Sequence, residues 1–280
     1  MSEEINRFTM FATTKKNHLK RVVISSLLFC SAPAFALDVM PHRVTYQLSL
    51  LESDQDAGIQ DIKGKTVFSL QRECEGWKSG EDYVMQMVFD GGNELYMASL
   101  FESFEDNKGE LFSFTINEQS TYEEPLNFDG YATTDRDNNQ GNAYFSIEPD
   151  AALSLPKQTY FPIEHTFKIL EKAQAGETFF NAHIFFGAKP DEALKKTNVI
   201  IGKKQKANVT GVDSDLIAAE FYPVNVAYFD PSTVTGLPTY EILFHMQDNG
   251  VVTYYQIDYG DFKLSAKIND IKKEAVPTCS

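Results

Sequence analysis

"HRVTYQLSL", residues 42–50, alternates strictly: Val44, Tyr46, Leu48 and Leu50 point one way, and Arg43, Thr45, Gln47 and Ser49 the other. A period of two is the signature of a β-strand with one buried and one wet face. The pattern recurs along the chain. "YVMQMVFDGG" (83–92) sets Tyr83, Met85, Met87 and Phe89 on one face before a glycine pair. "ELYMASLFESFED" (94–106) and "ELFSFTINE" (110–118) follow, joined by the turn sequence "DNKG", and "QDNG" (247–250) lies between "TYEILFHMQ" and "VVTYYQIDYG". Short strands at regular spacing with hairpin signals between them predict an antiparallel meander that curls into a barrel or a sandwich.

One segment breaks the period. "FPIEHTFKILEKAQAG" (161–176) spaces Ile163, Phe167, Leu170 and Ala173 as one stripe of a helix over 162–175. Pro162 suits its first turn, Gly176 its C-terminal cap, and Glu164 and Lys168 stand at i and i+4. An amphipathic helix has to cover its stripe, and the concave face of a curled sheet offers the place. Ile163, Phe167 and Leu170 are therefore expected to plug the sheet's interior. No repeat, linker or low-complexity block interrupts residues 37–280, which are read as a single domain.

Residues 1–36 read differently. "KKNHLKR" (15–21) is basic, "VVISSLLFC" (22–30) is a short apolar run, and "APAFA" (32–36) ends in small residues. This is the layout of a signal peptide cleaved after Ala36, and the run is too short to span a bilayer. The expected localisation is the periplasm. Phe29 before Cys30 argues against a lipid-modified cysteine. Cleavage would leave two of the three cysteines, Cys74 and Cys279, and an even pair in an oxidising compartment is most simply a disulfide.

The chain carries 25 basic and 40 acidic residues. Without the leader 20 and 38 remain, a net charge near −18. Such acidity excludes nucleic acid and anionic lipid surfaces as electrostatic partners. Asp135, Asp137 and Asn139 follow the start of a calcium loop, but its glycine and glutamate positions are Gln140 and Ser146, so a solvated turn is expected. His42, His165, His183 and His245 show no metal-ligand spacing. Neither a metal nor a cofactor is expected. There is no Gly-x-Ser-x-Gly elbow, P-loop or His-Glu-x-x-His, so a hydrolase has no motif behind it and no catalytic residue is assigned.

The chain resembles the EipB family, exported proteins that support cell-envelope integrity in alphaproteobacteria. The resemblance rests on "PHRVTYQLSL" (41–50), "CEGW" (74–77), "LPKQTYFPIEHTFKILEKAQAGETFF" (155–180), "YEILFHMQDNGVVTYYQIDYGDFKLSAKI" (240–268) and the closing Cys279. It implies a mainly β, single-domain antiparallel β-spiral, a broken β-barrel wrapped around a helical segment and similar in shape to LolA and LolB. It also implies a Cys74–Cys279 bridge. The expected function is non-enzymatic: maintaining the envelope by binding partner proteins or an apolar ligand, without membrane insertion. The rival is a LolA/LolB-like carrier of lipid or lipoprotein acyl chains, with the helix as a displaceable plug. Bulky residues on both faces of "LYMASLF" (95–101) and "FFNAHIFF" (179–186) favour a packed core over a ligand cavity.

Overall fold

The computed structural model describes residues 37–138, 140–212, 215–233 and 236–279. The leader and Cys30 lie outside the described residues, as does Asn139 of the candidate calcium turn.

The alternation at 42–50 becomes strand β1 (His42–Ser53), where His42, Val44, Tyr46 and Leu48 are buried. From β1 the chain runs outward as a hairpin series: β2 (Ile59–Arg72), β3 (Gly76–Phe89), β4 (Glu94–Asp106), β5 (Leu111–Ser120), β6 (Leu126–Asp135), β7 (Gln140–Phe145) and β8 (Glu148–Leu155). Short β9 (Thr159–Tyr160) leads into the helix α1 (Pro162–Gln174). The chain returns through β10 (Phe179–Phe185), β11 (Leu194–Ile201), β12 (Gln205–Lys206), β13 (Glu220–Phe229), β14 (Tyr240–Met246), β15 (Val252–Asp258) and β16 (Phe262–Lys273).

These strands form one 16-stranded sheet, ordered β8 down to β1, then β16, β15, β14, β13, β11, β10 and β9, with β12 paired to β13. The first and last strands therefore pair at the middle of the sheet, from His42 opposite Lys273 to Ser53 opposite Phe262. Every pairing is antiparallel except β9 with β10. The sheet is mainly β and antiparallel, a barrel that does not close. Its two free edges, β8 and β9, are consecutive in sequence and joined by residues 156–158 alone.

Side chains bridge what backbone hydrogen bonds leave open. Phe112 and Phe114 on β5 and Phe145 on β7 pack with Phe161, just before the helix, and Phe185 on β10. Ring centroids lie 5.2 Å apart for Phe112 and Phe161, 5.8 Å for Phe112 and Phe185, and 6.0 Å for Phe145 and Phe185. Aromatic pairs at these separations contribute about 0.5–1.5 kcal/mol each beyond the area they bury. Arg136, in the turn between β6 and β7, donates to the Gly109 and Thr159 carbonyls and pairs with Glu164 on α1. Its neighbour Asp135 accepts from the backbone and side-chain amides of Asn138, which closes the turn as an Asx motif.

The helix begins at Pro162 and ends before Gly176, whose φ of 77° takes the left-handed position. Glu164 turns to Arg136, and Lys168 pairs instead with Glu171. Ile163 and Leu170 are buried, and so are His165 and Ile169 on another side. Phe167 is only half-buried, because part of its ring borders a cavity. The helix is thus enclosed on two sides.

Candidate functional site

Between α1 and the wall made by β1–β3, β14 and β15 lies a cavity of about 350 Å³. Phe68 and Leu70 on β2, Phe167 and Leu170 on α1, and Phe244 and Met246 on β14 give it apolar sides. The strand alternation that aims these residues inward also aims Glu81 into it: Glu81 pairs with Phe68 across β2 and with Phe101 across β4. A second hollow of about 260 Å³ flanks the other side of the helix, and Thr166, Ile242 and Phe244 border both. A wider depression of about 620 Å³ around Lys65, Val84 and Tyr96 lies more open on the sheet surface and is not covered by the helix. The interior is the candidate site.

Glu81 receives one hydrogen bond, from Thr66 Oγ1 at 3.1 Å. Glu81 is exposed to solvent at the cavity, yet desolvation by the surrounding protein raises its pKa, and no lysine, arginine or histidine contributes to offset that. Tyrosines surround it. Tyr46 and Tyr255 line the cavity with their rings edge-to-face at 5.2 Å, and Tyr46 donates its hydroxyl to the Val252 carbonyl at 2.7 Å. Burial and the Glu81 charge together make Tyr46, Tyr255 and Tyr259 harder to ionise. Tyr83 is pushed up to about 12, chiefly by burial and then by Glu118, with Glu81 adding to it.

Two residues on neighbouring strands hold the helix against this cavity. The N-cap residue Phe161 offers no side-chain cap; Glu105 on β4 supplies one from a distance. Its two carboxyl oxygens accept the N–H groups of Ile163 (2.6 Å) and Glu164 (3.0 Å), two of the donors that a helix start leaves unpaired. Burial pushes its pKa up to about 8 despite these bonds. Trp77 on β3 sits directly across from Glu105 and meets Phe167 edge-on at 5.1 Å.

The EipB-like family model matches residues 33–274, which span the cavity, the helix and both of its anchors. The chain belongs to the EipB-like family. It is 27% identical over 242 residues to the cell envelope integrity protein EipB of Brucella abortus (strain 2308), covering 85% of each sequence. Its structure is also similar to the crystal structure of a β-barrel-like protein, a domain of unknown function from Brucella abortus. That likeness has a TM-score of 0.77 at 27% identity and covers 86% of this chain and all of that one.

In this EipB-like chain Cys74 and Cys279 form a disulfide with their Cα atoms 5.5 Å apart. The bridge ties the tail after β16 to the β2–β3 turn, and Asn107 Nδ2 donates to the Cys74 carbonyl at 3.0 Å. Cys74 thereby fixes the entry to β3, the strand that carries both Trp77 and Glu81. Among the described residues the four histidines, His42, His165, His183 and His245, do not converge on a metal site. His42 contacts the Met40 carbonyl, His165 lies near Thr197 with its pKa lowered by burial to about 4, and His245 stacks on Phe221. Among the described residues no three His, Cys, Asp or Glu side chains are placed to share a metal ion. No described helix is long and apolar enough to cross a membrane.

Glu81, Glu105 and Arg136 escaped the sequence reading. A signal for the first existed. Extending the Tyr83, Met85, Met87 face back by two residues reaches Glu81, a charge in phase with an apolar face. Glu105 is likewise in phase with Phe101 on β4.

Proposed function

We propose that this EipB-like chain is an exported, non-enzymatic protein that serves cell-envelope integrity by binding an apolar ligand inside its curled sheet. The carrying observation is the 350 Å³ cavity beside α1, which falls in the size range of small-molecule sites and has the apolar walls such sites show. The name of the Brucella relative supports the envelope role. The basic, apolar and small-residue order of residues 15–36 supports export with cleavage after Ala36.

A second reading, a LolA/LolB-like carrier of acyl chains, is favoured by one feature. Hollows flank the helix on both sides, so a shift of α1 would join them into a longer channel. The test is uptake of an uncharged apolar dye by the mature chain. We expect saturable binding that Thr166→Trp abolishes while the melting temperature is kept, because that side chain would fill the hollows. No uptake by the native protein, together with a bare mass after gentle purification from its own periplasm, overturns the ligand-binding reading.

A further inference from the structure

We propose that the cavity selects amphiphiles whose head is a protonated amine, seated at Glu81, with the aliphatic chain lying along Phe68, Leu70, Phe167 and Phe244. The inference rests on the ligand-binding reading above and names the class of ligand.

Glu81 lines the cavity yet is exposed to solvent, so its carboxyl group is within reach of the head of an entering ligand. Glu81 has one hydroxyl donor, Thr66, and no cation among the described residues pairs with it. The other titratable groups facing it are phenols: Tyr46 and Tyr255 at the cavity, Tyr83 and Tyr259 beyond, with the carboxylate of Glu118 felt at Tyr83. His42 on the same wall has its pKa lowered by burial, which disfavours its charged form. Among the described residues lining the cavity, Glu81 is the one carboxylate and there is no lysine or arginine. An ammonium would find a carboxylate for a charge-assisted hydrogen bond and aromatic faces for cation–π contact. A carboxylate or phosphate head would meet Glu81 with no positive side chain to offset the repulsion, so charge complementarity discriminates between heads on otherwise equal chains.

An ammonium beside Glu81 favours the ionised carboxylate and so opposes the upward shift of its pKa. Amine binding should consequently strengthen as pH rises through the Glu81 titration and then level off while the amine stays charged.

Dodecylamine, dodecanol and dodecanoate, each below its micellar concentration, provide the test by titration calorimetry on the mature chain. We expect dodecylamine to bind at least tenfold tighter than dodecanol, and dodecanoate weakest. Glu81→Gln, which keeps shape and the Thr66 contact, should bring dodecylamine to the dodecanol level and leave dodecanol unchanged. On the native protein, which needs no variant to fold, only the dodecylamine affinity should rise with pH. Equal affinities for the three probes, or an amine preference that survives Glu81→Gln, overturn the amine proposal and leave lumen binding standing. Binding of none of the three removes both. Native mass spectrometry of the protein purified from its own periplasm supplies the source. An amine-bearing adduct supports the proposal, with its mass separating an aminolipid from a free long-chain amine, and a solely anionic adduct overturns it.

Discussion

Glu105 and Trp77 stand opposite each other across the β4–β3 ladder, and together they hold one helix at two points, its first turn and the ring of Phe167. The helix is therefore positioned by strands more than 50 residues away in sequence. Removing the carboxylate with Glu105→Ala leaves two buried N–H groups without an acceptor. We expect a loss of about 2 kcal/mol, a fall of roughly 5 °C in melting temperature for a domain of this size. Circular dichroism melts of the two proteins measure it.

The same carboxyl group sets a pH dependence. Its folded pKa, about 8, lies above the ordinary 4.5, so the folded state holds the proton more tightly than the unfolded chain does. The stability this contributes is complete below about pH 4.5 and is lost as pH rises through 8. The histidines, with lowered pKa values, act in the opposite sense, but only below their ordinary value of 6.5. Between about pH 6.5 and 8.5 the melting temperature should fall with rising pH, and Glu105→Gln should flatten that slope. A slope equally steep in the variant would show that another group carries it.

Breaking the Cys74–Cys279 bridge frees a loop of 205 residues. Chain entropy assigns such a loop about 5 kcal/mol, and native bridges are typically worth about 2–5 kcal/mol. Cys74→Ser and Cys279→Ser should each lower the urea midpoint by the same amount, and reducing agent should change neither variant further.

Leu170 and Phe167 both border the cavity but differ in how deeply they are packed. Leu170 is 1% exposed and Phe167 is half-buried. Leu170→Ala should cost about 2–5 kcal/mol, the range for a filled core position. Phe167→Ala should cost less than the ~3–5 kcal/mol of a fully enclosed phenylalanine, and should enlarge the cavity and increase uptake of an apolar dye. Denaturant titration and dye fluorescence on the two variants give the comparison.

Arg136 fastens the open side of the sheet through Gly109, Thr159 and Glu164. Arg136→Met should speed amide exchange in β9 and the first turn of α1, while the β1–β16 pair keeps its protection. Uniformly faster exchange would place Arg136 in the global core instead.

The strands were legible because period-two alternation is local: HRVTYQLSL shows its buried face without any partner, and QDNG shows its hairpin, with Gly250 at a φ of 81°. The helix was legible for the same reason. Which edges stay open was not, because alternation says nothing about which strands fail to pair, and the phenylalanines near the opening read simply as core. Phe167 entered the stripe by spacing alone; its half-burial depends on a void that only the assembled sheet creates. Arg136 was hidden by its neighbours, since the acidic pattern of "DRDNN" drew the reading to Asp135 and Asp137 while the long-range contacts belong to the residue between them. Glu81 and Glu105 were passed over because carboxylates abound in so acidic a chain.

The pairing of β1 with β16 sets the order of assembly. During synthesis β1 can find β2 at once, but its other edge stays unsatisfied until some 200 further residues have been made. Closing so long a loop comes late in folding and places the protein among slow, high-contact-order folders. Until β16 arrives, the exposed edge of β1 is an adhesive strand, open to pairing with any extended chain nearby. The nascent chain is thus most vulnerable to aggregation in the interval before its final strand docks, and a holdase that shields that edge would act at that moment.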